Sequence, residues 1–268
     1  MRGTPFVAGI AAGAAAVLVG RANRRAQRAE RFAAAALETL LRAIDANDSQ
    51  TGAHVRRVAR YALIIADALG TDDATRRTIE LASLFHDIGK IHEALFDIVH
   101  DGQRLTARER REIATHPKRG AEVLAPIAYF HEELAEAVLA HHERWDGHGY
   151  PRGIKGRRIP LAARVVTIAD TFDAITHRRR YRDGRTARKA ADIIAAGRGT
   201  QFDPELVDLL LLPPVFSQLE RAHRFAMRPA TLRHRSNDHA TPSGPEVRIR
   251  WRTRTELPRS VREKATAT

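Results

Sequence analysis

The chain has 268 residues, enough for one substantial domain with appendages rather than two full domains. It contains no cysteine, which excludes disulfides, thiolate zinc sites and cysteine nucleophiles together. The formal net charge of +13 sits mainly at the two ends: residues 1–30 hold five basic side chains to one acidic, residues 217–268 hold twelve to five, and the stretch between holds 28 to 26. A near-neutral centre argues against nucleic acid as the partner.

In chain order, Thr4 to Gly20 is an uncharged, mostly apolar run of seventeen residues, at the lower limit for a membrane span. Residues 1–25 read as a membrane anchor or a flexible extension, and a signal peptide fits the same pattern. Arg21, Arg24, Arg25 and Arg28 follow. If the run spans, they hold the rest on the cytoplasmic side, so the expectation is a cytoplasmic protein with weak membrane association through its N-terminus. Over 26–47, Phe32, Ala36, Leu40, Leu41 and Ile44 recur at helical spacing and predict an amphipathic lead-in helix. A helix over 53–69 comes next, with Val55, Val58, Ala62 and Ile65 on one face and Gly70 as its stop. Thr71, Asp72 and Asp73 open another, which runs through Ile79 and Leu84 into His86.

Thr106 and Glu109 make a capping box for a helix ending near His116. Further helical segments are predicted at 117–124, 131–143, 161–176 and 186–196. Asp203 and Pro204 form a cap with proline at the first helical position, and Pro213-Pro214 is read as the end of that last helix. The loop from Trp145 to Pro160 holds four glycines and two prolines and is read as irregular. The fold class is therefore all-α, with a helical domain at 32–228 that overlaps the lead-in helix. Residues 229–268 are basic, lose apolar periodicity and read as a disordered tail.

Thirteen histidines include two conspicuous doublets, His86-Asp87 and His141-His142. An imidazole beside a carboxylate at the end of an apolar helical run is costly to bury unless each polar atom has a partner. A metal ion partners many such groups at once, using neutral imidazoles and ionised carboxylates. For an isolated His-Asp pair, a cap or a hydrogen bond is the simpler role. The wider pattern changes that reading. His54 lies in TGAHVRRVA, His86-Asp87 in LFHDIGK, His116 in THPKRG, His141-His142 in HHERWDGHGYP and Asp170 in VVTIADTFDA. In this order and spacing, and with Gly149-Tyr150-Pro151, the motifs resemble those of the HD-GYP family.

The resemblance implies an HD-superfamily helical bundle with a GYP loop. It places metal ligands at His54, His86, Asp87, His116, His141, His142 and Asp170. Such a set suits two divalent transition-metal ions, iron or manganese first and zinc also compatible, with Asp87 as the bridge. Gln50 stands where members with a third metal carry a glutamate, which favours two. The implied reaction is hydrolysis of cyclic di-GMP to pGpG or GMP by hydroxide generated at two metals, with Asp87 and Lys90 as catalytic residues. Lys90, Arg179 and Arg182 fall at the family's phosphate contacts, although in so arginine-rich a chain either arginine is also read as a solvated surface charge.

Tyr150 either stacks on a guanine or packs its loop down. The GYP loop itself is a structural lid, a substrate contact or a docking place for protein partners. Asp146 and Asp173 are read as orienting ligand histidines or loop backbone. His92, His100, His131, His148, His177 and the three histidines nearest the C-terminus receive no role. Arg178 and Arg180 depart from the family's acidic residue and proline, and His148 from a small hydroxylated residue. Three other readings compete: cyclic GMP-AMP as the substrate, dioxygen activation at two irons, and a non-catalytic signalling module. The GYP loop and the cations near the site argue against dioxygen chemistry, and the intact ligand set argues against the last.

Overall fold

The computed structural model describes residues 24, 27–29, 31–46, 48–91, 106–127, 131, 133–177 and 184–227. The apolar run at 4–20, the tail at 229–268, and Arg179 with Arg182 lie outside the described residues. Among the described residues no helix is long and apolar enough to cross a membrane. The chain divides into two compact units, and the one spanning Leu41–Val247 contains every residue discussed as a site.

Helix α1 (residues 31–46) buries Ala33, Ala34, Leu37, Leu41 and Ile44. Phe32, counted on the apolar face from spacing, is instead 77% exposed. Helix α2 (Ser49–Leu69) starts four residues earlier than the apolar pattern predicts, because the Asp48 carboxylate accepts the backbone N–H of Gln50 and Thr51. Gly70 ends it in the left-handed conformation at φ 66°, returning its N–H to the last turn. Helix α3 (Asp73–Phe85) is capped by Asp72 and leads into a short 3-10 turn, Ile88–Ile91.

The helix expected to end near His116 is two helices. Helix α4 (Ala107–Ile113) has the predicted capping box, and α5 (His116–Leu124) begins after a two-residue turn. Pro117 explains the break. It has no N–H for the Ile113 carbonyl four residues back, and its ring crowds that carbonyl. Helix α6 (Leu134–Ala140) is shorter than the predicted 131–143, so His141 and His142 sit in the turn that follows it. The Trp145–Pro160 loop is irregular apart from one 3-10 turn, Gly156–Arg158. Helices α7 (Leu161–Thr176), α8 (Ala187–Ala196) and α9 (Pro204–Leu211) fall close to expectation. Pro213-Pro214 does more than stop α9: it opens a further helix, α10 (Pro213–Ala226). Proline suits a first turn, where its missing N–H would have no helical partner.

Helix α2 packs against α3, α7 and α10, while α5 packs against α6 and the Ile88–Ile91 turn. The α2 face of Val55, Val58, Ala62 and Ile65 is buried against this framework, each larger aliphatic side chain contributing about 1.5–3 kcal/mol. Tyr61 and Phe172 meet edge to face across α2 and α7, their ring centroids 5.0 Å apart. Among the described residues the Tyr61 hydroxyl is buried without a hydrogen-bond partner, an arrangement that costs about 1–3 kcal/mol. Tyr61→Phe should therefore leave the melting temperature unchanged or raise it. A clear fall in thermal denaturation would mean that the hydroxyl has a stabilising partner.

Candidate metal centre

Three of the seven expected ligand positions stand where a helix has just ended or begun. His86 and His141 follow the last residues of α3 and α6, and His116 is the first residue of α5. Each ring folds back on the carbonyl three residues earlier: His86 Nδ1 lies 2.8 Å from Ser83 O, His116 Nδ1 2.7 Å from Ile113 O, and His141 Nδ1 2.6 Å from Val138 O. The final carbonyls of a helix lack intrahelical partners, and these histidines supply one. Pro117 frees the Ile113 carbonyl that His116 uses. Since a carbonyl can only accept, each Nδ1 carries a hydrogen, and Nε2 is the ring atom turned inward.

Helices α2 and α7 contribute the opposite wall. His54 Nδ1 lies 2.7 Å from Asp173 Oδ2, which fixes the same tautomer, and its Nε2 lies 3.4 Å from Asp170 Oδ1. Ligand atoms converge as two triads: His54, His86 and Asp170 in one, His116, His141 and His142 in the other, with the atoms of each within 4.8 Å of one another. Asp87 stands between them. Its Oδ1 is 3.3 Å from His116 Nε2, and its Oδ2 is 3.5 Å from His86 Nε2 and 4.0 Å from His54 Nε2.

These atoms fit a cation. His116 Nε2 and His141 Nε2 face each other at 3.2 Å, although both rings have committed their Nδ1 hydrogens to carbonyls. Burial holds the His141 imidazole well below its ordinary pKa, with His142, His86 and His116 adding to the effect. Burial also lowers His86, and burial followed by His116 brings His142 down to about 3. Around neutral pH these three rings are uncharged. Among the described residues, the Nε2 of His86 and the Oδ1 of Asp87 are buried with no hydrogen-bond partner. Electron pairs therefore meet electron pairs, and a divalent metal resolves the conflict that further protons do not.

Asp87 is nonetheless ionised. Burial opposes its charge, but the neighbouring cation Lys90, with Nζ 2.8 Å from Oδ2, leads the interactions that hold the carboxyl well below its usual range. At His54 burial opposes protonation, and the hydrogen bond to Asp173 with the charges of Asp170, Asp173 and Asp87 outweighs it. A metal ion would take the place of a proton on that ring.

Asp173 lies on the same wall, where its carboxylate also accepts from Arg57 Nε at 2.7 Å and Nη2 at 3.0 Å. The one sequence signal for Arg57 is its place three residues after His54, which puts both on one helix face. Asp146 reaches no ligand histidine. It pairs with Arg144 and accepts the His148 N–H at 3.0 Å, so of its two expected roles the structure shows the loop-backbone one. Tyr150 stacks on His142 with centroids 4.9 Å apart and planes 25° from parallel, packing the loop down on a ligand position. Burial, with the charges of Asp87 and Asp170, pushes its hydroxyl up to about 12.

The HD domain family model matches residues 38–206. Over 176 residues the chain is 40% identical to the cyclic di-GMP phosphodiesterase response regulator RpfG of Xanthomonas campestris, covering 65% of this chain and 46% of the relative. Over 174 residues it is 38% identical to the 3′3′-cGAMP-specific phosphodiesterase 2 of Vibrio cholerae, covering 64% of this chain and 33% of the relative. The chain thus spans a third to a half of the length of these curated relatives. A crystal structure of a cyclic GMP-AMP-specific phosphodiesterase of Vibrio cholerae superposes with a TM-score of 0.52 at 23% identity, covering 73% of this chain and 53% of that one, which is a likeness of fold.

Proposed function

Because this chain belongs to the HD domain family, we propose that it is a metal-dependent phosphodiesterase that hydrolyses cyclic di-GMP to pGpG or GMP. One observation carries the reading: two triads of ligand atoms share Asp87, which turns one oxygen towards each. The names of relatives that match over the same region support the choice of a cyclic guanine dinucleotide. Cyclic GMP-AMP is the second reading, since a relative of nearly equal identity carries that name.

Two ions, iron or manganese, are proposed: one held by His54, His86 and Asp170, the other by His116, His141 and His142, with Asp87 serving both. When bound, such ions supply Lewis acidity at phosphorus and a source of hydroxide at neutral pH. The chain's own groups do the rest. Carbonyls at the helix ends orient His86, His116 and His141, Asp173 orients His54, and burial keeps His86, His141 and His142 available as neutral donors. Lys90 holds Asp87 in its charged form and is a third exposed, so its ammonium can also meet a phosphoryl oxygen. Arg179 and Arg182 are proposed as further phosphate contacts. Tyr150 limits the site on the His142 side.

The test is product analysis. Protein loaded with Fe²⁺ or Mn²⁺ under anaerobic conditions and given cyclic di-GMP should yield pGpG or GMP. Turnover of cyclic GMP-AMP alone would select the second reading, and no cleavage of either by metal-loaded protein would refute the function.

A further inference from the structure

Behind the metal centre a second pair of histidines meets the same wall. Helix α7 stops at Thr176, and His177 leaves it in extended backbone at φ −98° and ψ 146° while its N–H still donates to Asp173 O. The side chain folds back over the final turn, placing Nδ1 3.0 Å from Asp173 Oδ1. The Thr176 hydroxyl, 3.2 Å from the same nitrogen, donates to Phe172 O at 2.7 Å and so offers Nδ1 only an acceptor. On its far side the His177 ring meets His223 of α10 nearly at right angles, with centroids 5.1 Å apart. His223 in turn stands edge-on to Phe172. The His177 ring is therefore clamped between a carboxylate and a neighbouring helix.

Asp173 consequently divides its two oxygens. Oδ1 accepts from Arg57 Nε and His177 Nδ1, and Oδ2 accepts from Arg57 Nη2 and His54 Nδ1. With Oδ1 held from two sides, the carboxylate cannot rotate away from His54 without breaking bonds to both Arg57 and His177.

We propose that His177 is a positioning residue for one metal of the pair, fixing through Asp173 the orientation and donor strength of His54. This rests on the two-metal reading. It separates the two ions, because the rings of His116 and His141 lean on backbone carbonyls and that of His142 stacks on Tyr150, so that among the described residues the second triad is held by groups other than Asp173. Groups one bond beyond a ligand commonly alter metal affinity 10- to 100-fold; a group one step further out should act at the low end of that range.

The experiment titrates Mn²⁺ into the metal-stripped full chain by calorimetry, with Asp170→Asn used to identify the step that belongs to the His54 triad. His177→Leu should weaken that step about tenfold and leave the other unchanged. His177→Asn, which keeps a hydrogen-bond donor near the Nδ1 position, should restore most of the loss. Equal weakening of both steps in the leucine variant would indicate general loosening and overturn the inference, as would no change in either step or a failure of asparagine to restore. Wild-type protein that takes up no Mn²⁺ would sink the metal reading and this inference with it. Two wild-type steps that His177→Leu leaves untouched would sink the inference alone.

Discussion

Asp87→Asn is expected to lower hydrolysis of the cyclic dinucleotide about a thousandfold or more, equivalent to roughly 4 kcal/mol of lost transition-state stabilisation, while leaving the protein folded. Asp87 is the side chain that touches both triads, and its charge is the one set between them. An amide of the same shape retains one oxygen but carries no charge, so both proposed ions would lose their shared anionic donor. The fold should tolerate the change for a specific reason. The amide nitrogen can donate to the Nε2 of His86, which is otherwise buried without a hydrogen-bond partner among the described residues. Circular dichroism, bound metal and product formation measured on one preparation check the prediction. Wild-type turnover by a folded Asp87→Asn variant would remove Asp87 from the chemistry.

Gly89→Ala should be nearly as damaging, by a different route. Gly89 lies in the Ile88–Ile91 turn just after the His-Asp doublet, and a Cβ there would fall on the backbone carbonyl of His116 and within 2.7 Å of Gly120 N. Backbone on both sides leaves no flexible side chain to yield. The turn and α5 must part, which moves His116 away from Asp87. Forced overpacking of this kind costs about 1–3 kcal/mol of stability, and an ångström of misplacement in a reacting constellation costs about a hundredfold in rate. A lower melting temperature with a much larger fall in kcat than in substrate affinity is the expected pattern. Unchanged kinetics would show that the turn has room the packing does not suggest.

Much of this arrangement could be read from the residues, because helix caps and ligand chemistry are written locally. Asp72, Thr106, Thr186 and Asp203 each cap the helix that follows them. The histidine motifs could be grouped before any geometry was known, and α2, α3, α5, α6 and α7 do bring those side chains to one place. The misreadings came from proline and from tertiary contacts. Pro117 and Pro213 both lie where a helix can as easily begin as end, and the sequence pattern marks the interruption without saying what resumes. Of the apolar face read from spacing, Leu41 and Ile44 are buried, but towards the N-terminal end burial falls on Ala33, Ala34 and Leu37 and leaves Phe32 exposed. Arg57 and His177 were passed over because each matters only through Asp173, more than 100 residues from Arg57 in the chain but within hydrogen-bonding distance in the fold. Asp146 was legible as a structural carboxylate, but its partner Arg144, two residues before it, was not singled out.

The carbonyl-backed histidines suggest why the centre is built at helix ends. A helix interior has no spare carbonyl to orient an imidazole, whereas its last turn has several. Ending α3, α4 and α6 where they do gives His86, His116 and His141 fixed tautomers without additional acidic residues behind them. His54, inside α2, uses a carboxylate for the same purpose, and Asp173 is that carboxylate.

The most direct test of the two-triad centre is the metal content of the full chain after stripping with a chelator and anaerobic reloading with Fe²⁺ or Mn²⁺. The predicted result is about two ions per wild-type chain, falling to about one in Asp170→Asn and in His142→Ala. A wild-type chain that holds one ion or none after reloading would contradict the centre as described.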